Sequence, residues 1–452
     1  MSAYSLDDAP LNSFHKKLAV YSSGGPFLDG YVLSIIGLAL VQIGPEFGLT
    51  AMQEGLVGAA ALIGIFLGAF LGGWLTDIFG REVLYTVDLV AIIALSVAQF
   101  WVDGFWWLFV LRLLIGMAVG ADYPIATSLL AEFTPSKSRG PLLAMLQVSW
   151  FVGAAAAYLV GDLLTHFGGD GSWRWMLASA AVPGLIIVVM RFGTPESPRW
   201  LLQKGRVDEA KAVVAKVFGP NATIDQLPAE QEEEQAGLAK LYRSGYLGRM
   251  MFVSVFWTCS VVPVFAVYAF GPRILEALGL TGGLENVGSA LITVFFVAGC
   301  LVAVVLINKI GRRPMLIQSF LLSGIALLAL SVFPASSAPV VLTLFGLYAV
   351  LIGGAQVLQF VYPNELFPTE IRGSAVGLAS SLSRIGAAIG TYLVPLALTV
   401  IGIGPTMLLA AGVTLIGFLV SVTWAPETKG LSLDEASSVD RARRSKAASR
   451  TS

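Results

Sequence analysis

The sequence predicts an all-α membrane protein of twelve transmembrane helices, arranged as two pseudo-symmetric six-helix bundles with both termini cytoplasmic. Three observations predict it. The 452 residues are 56% hydrophobic and only 13% charged, where soluble domains carry about 25% charged residues. Long apolar runs recur twelve times between charged or Pro/Gly-rich breaks, each near the roughly 20 residues that a helix needs to cross the hydrocarbon. The second six runs also repeat motifs of the first six at a nearly constant offset.

In chain order the apolar runs are 18–43, 53–76, 83–101, 105–130, 140–163 and 174–192, then 248–271, 285–307, 313–333, 338–361, 372–399 and 405–424. Strands alternating polar and apolar residues are absent, so helices rather than a barrel must satisfy the backbone in lipid. Asp29 interrupts the first run and no small-residue cleavage site follows it, which argues against a cleaved signal. The polar break 193–247, rich in Glu, Lys and Gln, separates two bundles at 1–192 and 248–426. Inside it, 207–218 has the spacing of an amphipathic cytoplasmic helix. A tail, 427–452, ends in a basic stretch that suits anionic lipid better than nucleic acid. Of the 28 Lys and Arg residues, all except Arg112, Arg174, Arg273 and Arg384 fall on the side that the N-terminus occupies. The positive-inside rule makes that side the cytoplasm.

The repeat is visible residue by residue. Asp77-Ile-Phe-Gly80-Arg81 returns as Asn308-Lys-Ile-Gly311-Arg312, an offset of 231. Glu132-Phe-Thr-Pro135 with Arg139-Gly140 returns as Glu365-Leu-Phe-Pro368 with Arg372-Gly373, an offset of 233. Pro195-Glu196 returns as Pro426-Glu427, again at 231. Parallel repeats of this kind are one known transporter architecture.

The loop Gly73–Arg81 resembles the signature of the major facilitator superfamily, and Arg112-Leu-Leu-Ile-Gly116 resembles its fourth-helix signature. Pro195–Ala210, Val361–Gly373 and Pro426–Glu435 are similar to the sugar-transporter-like branch. The resemblance spans all twelve helices and implies secondary active transport of a small solute by alternating access. Sugar porters, organic-ion transporters, phosphate symporters and aromatic-acid symporters share versions of these motifs, so they do not identify the solute.

The repeated charges read as a cytoplasmic gate: Asp77, Arg81, Glu132, Arg139, Glu196, Arg312, Glu365, Arg372 and Glu427. Ion pairs among them are expected to latch the halves in one conformation and release them in the other. Topology alone would call for the cations but not for the matched acids.

The charges that do not repeat read as the site. An ionisable group deep in lipid costs at least ~2.5–3.5 kcal/mol and is functional by default. Asp29 lies near the middle of the first helix; proton-coupled relatives among the sugar porters carry an acid there, paired with the fourth-helix arginine, here Arg112. The bland alternative is an acid capping a helix restarted after Pro26. Asp122, in Gly120-Ala-Asp122-Tyr123-Pro124, resembles an element of phosphate symporters and is the second proton-carrier candidate, or else a partner for backbone at the Pro124 kink. Asp88, a few residues into the third helix, reads as interfacial. His15 and His166 are the only histidines and fall outside the apolar runs, so a coupled proton must ride on a carboxylate. No other cofactor is expected, and no metal: the two cysteines, Cys259 and Cys300, lie inside apolar runs and suggest neither metal nor disulfide.

Arg384, in Ser381-Leu-Ser-Arg384-Ile-Gly386, is a permanent cation at mid-membrane whose guanidinium suits a carboxylate or phosphate. Organic-anion transporters are similar in having an arginine in such a setting; the alternative is an acid on a neighbouring helix. Tyr31, Tyr123, Gln147, Trp257, Tyr268 and Gln356 supply aromatic and amide lining for the substrate, with packing an equally ordinary role for each. The sugar branch usually begins its seventh helix with a Gln-Gln pair, and Phe256–Ser260 has none, which tilts the expectation from a sugar towards a small organic anion. An enzyme is excluded by the lack of a nucleophile–base set, phosphate loop or metal cluster. A channel and a transport-inactive nutrient sensor fit less well. The expected partners are a small-molecule solute and the bilayer, with no nucleic acid. The chain is expected to work as a monomer in a bacterial plasma (inner) membrane.

Overall fold

In a computed structural model, the described residues are 12–79, 81–134, 136–169, 171–191, 196, 198–218, 246–334, 337–431 and 433–437. The side chains of Asp77, Arg81, Tyr123, Glu132, Arg139 and Arg372 lie outside the described set. Those gate and lining expectations are therefore neither met nor refused. Regular structure among the described residues is helical.

The chain divides into two compact units, Met1–Gln231 and Glu232–Ser452. The first holds α1 (Ser13–Phe47), α2 (Ala51–Phe79), α3 (Arg81–Ala98), α4 (Phe105–Phe133), α5 (Ser136–Gly168), α6 (Trp173–Ala178), α7 (Ala181–Arg191), α8 (Pro198–Gln203) and α9 (Val207–Phe218). The second holds α10 (Leu247–Ala277), α11 (Leu284–Ile310), α12 (Arg312–Val332), α13 (Ala338–Leu366), α14 (Thr369–Val400), α15 (Ile403–Trp424) and α16 (Leu433–Ser437). Among the described residues, eleven segments are long and apolar enough to span a bilayer, and Thr86–Trp101 is a shorter apolar helix at the place of the third span. The predicted twelve are thus accounted for.

The sixth span is two helices, not one. Pro183 has no N–H to give the carbonyl of Ser179, and Val182 N bonds that carbonyl instead at 3.0 Å. The chain therefore turns at Ser179–Ala180 before α7 resumes. In α10 the helix kinks at Phe270, whose φ and ψ are −135° and 19°. Pro272 lies two residues on and has no N–H to give the carbonyl of Tyr268, so the helix lacks a bond across the kink.

Helix pairing repeats in the two units. In the first, α1 packs on α5, α2 on α4, and α3 on α4 and α7; in the second, α10 packs on α14, α11 on α13, and α12 on α13 and α15. Small residues bring the paired backbones into contact, as lipid-embedded helices require. A Cβ on Gly30 would lie 1.9 Å from the Trp150 carbonyl, and one on Gly153 would lie 1.9 Å from that of Phe27, so α1 and α5 touch main chain to main chain. At one end of the first unit Trp101, Trp106, Trp107 and Trp175 are exposed, the position that amphipathic indoles take at a membrane–water boundary.

The amphipathic helix expected at 207–218 is present as α9. Val214 and Val217 pack with Leu18, Ala19, Leu130, Phe133 and Leu146, and the Asn12 amide donates to the Val217 carbonyl at 2.7 Å. Before it, Arg206 donates to Glu209 at 2.7 and 2.6 Å, which holds that carboxyl below its ordinary range. In the second unit Arg249 Nη1 donates to the carbonyls of Leu366, Ala436 and Ser437 at 2.8, 3.0 and 2.7 Å. The Tyr246 hydroxyl adds a bond to Ser437 at 3.1 Å. These bonds fasten α16 to the ends of α10 and α13.

Candidate functional site

In the first unit α1, α4 and α5 carry Asp29, Arg112 and Trp150. Asp29 is 5% exposed, and its Oδ2 accepts the Trp150 indole N–H at 2.7 Å. Gly30 beside Asp29, against the Trp150 carbonyl, and Gly153 one turn on from Trp150, against that of Phe27, set that approach. Asp29 is thus held from the side by α5 and does not cap a restarted helix, since α1 runs unbroken through Pro26. The expected Asp29–Arg112 ion pair is not formed. Arg112, fully buried, donates Nη1 to the Val32 carbonyl at 2.9 Å, while its Nε and Nη2 have no hydrogen-bond partner among the described residues. The two groups flank the same stretch of α1, and the guanidinium turns to backbone. Tyr31 is buried with its hydroxyl 2.7 Å from Ser179 Oγ, at the break between α6 and α7. Gln147 is half-buried.

Asp122 is engaged by a residue the sequence reading left among the loop cations. Arg191, the last residue of α7, donates Nη1 to Asp122 Oδ1 at 2.9 Å and Nη2 to Oδ2 at 3.4 Å. This places Asp122 on a side chain rather than on backbone near Pro124. Asp88, expected at the interface, is 5% exposed, and its Oδ1 accepts the Leu89 N–H at 2.6 Å. Arg191 stands at the end of the apolar run 174–192, where a cation is ordinary, so its position alone gave no sign of burial.

In the second unit α10, α13 and α14 carry the polar residues. Arg384 on α14 is half-buried, with its guanidinium 5.0 Å from the ring centroid of Phe265 on α10. Cβ atoms on Gly386 and Gly390 would sit 2.3 Å from Thr258 and 2.5 Å from Val262, so these glycines let α14 close on α10 and bring the cation over the ring. Arg384 Nε is buried with no hydrogen-bond partner among the described residues. Among the described residues no acid pairs with it.

Ser260 is the hub of a second cluster. Gln356 Nε2 donates to the Ser260 carbonyl at 3.0 Å, and Gln359 Nε2 donates to Ser260 Oγ at 2.7 Å and to Gln356 Oε1 at 3.0 Å. Trp257 is 1% exposed, its ring edge-on to Phe360, and its indole N–H is without a partner among the described residues. Tyr268 packs its ring on Phe296, 5.6 Å between centroids. The seventh helix lacks the glutamine pair of the sugar branch, yet two amides from α13 reach the same helix.

Of the expected gate residues, three meet in the second unit. Arg312 donates to Glu365 at 2.8 Å, and Glu427 accepts the backbone N–H of Arg312 at 3.0 Å and of Arg313 at 3.2 Å. Thr428 donates to Glu365, and the Tyr362 hydroxyl to the Pro426 carbonyl. All of these contacts lie within one unit. They tie the start of α12 to the end of α13 and to the segment after α15, where the sequence reading had such pairs latching one half to the other. Glu196 is half-buried after α7.

The profile of sugar (and other) transporters matches residues 17–439. The chain belongs to that family. Two Escherichia coli relatives are similar over nearly the whole length. One is a candidate metabolite transport protein, YaaU, 44% identical and covering 96% of this chain and 97% of its own. The other is the inner membrane metabolite transport protein YgcS, 40% identical over 96% of each. A glucose transporter of Staphylococcus epidermidis, GlcP, is 30% identical over 91% of this chain and 94% of its own. The fold is that of the xylose transporter XylE from E. coli. In its partially occluded inward-open structure XylE superposes with TM-score 0.79 at 20% identity, covering 93% of this chain and all of that one. A second XylE structure, described as a major facilitator proton:xylose symporter bound to a bromodeoxyglucose, gives 0.73 at 22% identity, covering 94% and 98%.

The protein is therefore a multi-pass membrane transporter of the major facilitator superfamily with bacterial relatives, acting on a small-molecule sugar or metabolite, and not an enzyme.

Proposed function

We propose that the protein takes up a small organic anion together with a proton, by alternating access, from a twelve-helix body whose termini face the cytoplasm. The observation that carries the anion is Arg384: a permanent cation set against an aromatic ring in the span, with a buried Nε that no described residue satisfies. A guanidinium so placed is completed by a carboxylate or phosphate brought by the solute. Asp29 is the proton carrier in this reading. Trp150 favours its ionised form by hydrogen bonding, while desolvation opposes it, and a change of conformation that disturbs the α1–α5 contact shifts the balance. Arg112 supplies positive potential beside it. In this reading Tyr31, Tyr123, Gln147, Trp257, Tyr268 and Gln356 are the further candidates for contact with the solute. The available driving force is about 2.3 kcal/mol per charge per 100 mV, plus the pH gradient.

The Gln356–Gln359–Ser260 cluster favours a second reading, a proton-coupled sugar porter, because paired amides suit hydroxyl groups and GlcP is named a glucose transporter. Uptake into liposomes under an imposed inward proton gradient separates the two. The panel is labelled aromatic and aliphatic carboxylates, phosphate and monosaccharides, each with wild type, Arg384→Ala and Asp29→Asn. Accumulation of a carboxylate that Arg384→Ala abolishes supports the anion reading. Accumulation of a neutral sugar that Arg384→Ala leaves intact replaces it with the sugar reading. Asp29→Asn should abolish accumulation while leaving exchange; continued accumulation would remove Asp29 from the proton path.

A further inference from the structure

The first turn of α1 and the last turn of α9 are joined by one side chain, and a histidine holds that side chain in place. Asn12 is the N-cap of α1. Its Oδ1 accepts the His15 N–H at 3.1 Å, and its Nδ2 donates to the Val217 carbonyl at 2.7 Å. That carbonyl is among the last four of α9, which have no partner within the helix. One amide therefore starts one helix and finishes another. In return His15 Nδ1 accepts the Asn12 backbone N–H at 3.1 Å. These reciprocal bonds form a capping box, a motif whose third helical residue is ordinarily Glu or Gln. Here it is the side chain whose ordinary pKa lies nearest neutrality.

His15 precedes the apolar run 18–43 and is fully buried. Phe14 packs edge-on against the His15 ring and against Phe133 of α4, with centroids 6.1 and 5.4 Å apart. Phe133 belongs to the cluster in which Leu18, Leu130, Leu146, Val214 and Val217 bring α1, α4, α5 and α9 together. Three features of this place call for a neutral ring. Nδ1 is an acceptor, so a proton on it would set N–H against N–H. Burial disfavours the charged form and holds the His15 pKa below its ordinary value. The start of α1 is the positive end of its dipole, where a cation is unfavourable. Lys16 and Lys17 beside it on α1, and Lys211 and Lys216 on α9, are exposed cations that add to this. Asp208 and Glu209 stand at the opposite end of α9. The Arg81, Glu82, Glu132, Lys137 and Arg139 side chains of α3, α4 and α5 lie outside the described set.

We propose that His15 is a pH-sensitive catch: a proton on Nδ1 breaks the capping box, turns the Asn12 amide off Val217 and releases α9 from α1, α4 and α5. Docking is complete above about pH 6.5, the ordinary histidine value. It weakens as the pH falls below that value, because the released chain takes the proton more readily than the docked one. If protons enter with the solute, as proposed above, acid gathering on the cytoplasmic side would act back on the transporter through this catch. That consequence rests on the proton-coupled reading; the release itself does not.

A nitroxide at Ala212→Cys, an exposed position on α9, reports docking by its mobility, with no solute or gradient present. The purified full-length chain carries Cys259→Ala and Cys300→Ala so that only α9 is labelled. From about pH 8 to about pH 5 the spectrum should pass from ordered to mobile. His15→Gln supplies the ordinary capping-box residue without a titrating group and should stay ordered throughout. Asn12→Ala removes the bond to Val217 and should be more mobile than the His15 chain above the transition. A spectrum that does not change with pH overturns the proposal, and so does a His15→Gln chain that changes with pH as the parent does. A His15→Gln chain mobile at every pH would make the packing of the ring the cause and overturn the proton's part. An Asn12→Ala chain as ordered as the parent overturns the link through the amide. None of these results depends on uptake, so a failure of the proton-coupled reading would be seen separately, as accumulation by Asp29→Asn.

Discussion

Gly30→Ala tests the main-chain contact between α1 and α5. The added Cβ would start 1.9 Å from the Trp150 carbonyl oxygen, and backbone cannot swing aside as a side chain can. Reaching even 3.0 Å, the lower bound for real Cβ contacts, requires α1 and α5 to part by about 1 Å at the crossing. Forced overpacking of this kind costs about 1–3 kcal/mol. Gly153→Ala meets the Phe27 carbonyl at the same 1.9 Å across the same crossing. Once one substitution has parted the helices the second has less to displace, so the double variant should cost less than the sum. Gly412→Ala on α15 is the matched control, because nothing lies within 4 Å of its Cβ. It should gain up to about 1 kcal/mol from helix propensity alone. Thermal unfolding in one detergent, followed by intrinsic fluorescence, reads the four variants. If Gly30→Ala is as stable as wild type, or Gly412→Ala is less stable than Gly30→Ala, the described crossing is wrong. Because Trp150 also holds Asp29, Gly30→Ala should lower proton-driven uptake by more than its stability loss accounts for.

Arg312→Ala should destabilise the second unit by about 1.5–3 kcal/mol, as it removes a charge-assisted bond to a mostly buried Glu365. A double-mutant cycle with Glu365→Ala in the same detergent should return a coupling above 0.5 kcal/mol, and none if the pair is incidental. Val214→Asp should undock α9, since it buries a charge among Leu18, Leu130 and Phe133. Limited proteolysis should then cleave within 207–218 faster than in wild type, and equal rates would refute the docking.

The spans and the repeat were legible because they follow from length, apolarity and offset, which lipid enforces without regard to tertiary detail. Helix α9 was legible for a related reason: its two faces differ in composition. The break at Ser179 was missed although Pro183 carries its cause, because hydropathy averages over a single lost hydrogen bond. The buried charges were found as residues but not as pairs. Asp29 was read against Arg112 and sits against Trp150; Asp122, read as a second proton carrier or else a partner for backbone, sits against Arg191. Pairing depends on which faces of α1, α4, α5 and α7 meet, and spans that are apolar all round carry no periodic mark of that rotation. Arg191 was hidden further by its place at a helix end, where a cation is ordinary. The gate acids and cations were legible as a repeat, but their described contacts brace one unit from within.

The clasp on α16 sets where this chain can be cut or extended. Two of the three carbonyls that receive Arg249 Nη1 belong to Ala436 and Ser437, so a truncation ahead of them leaves a mostly buried guanidinium with Leu366 alone of the three. A reporter or affinity tag spliced in before residue 437 would carry the same penalty at every expression level. Appended after that point, it would leave all three acceptors in place, and the yield of folded protein should change abruptly across those two positions.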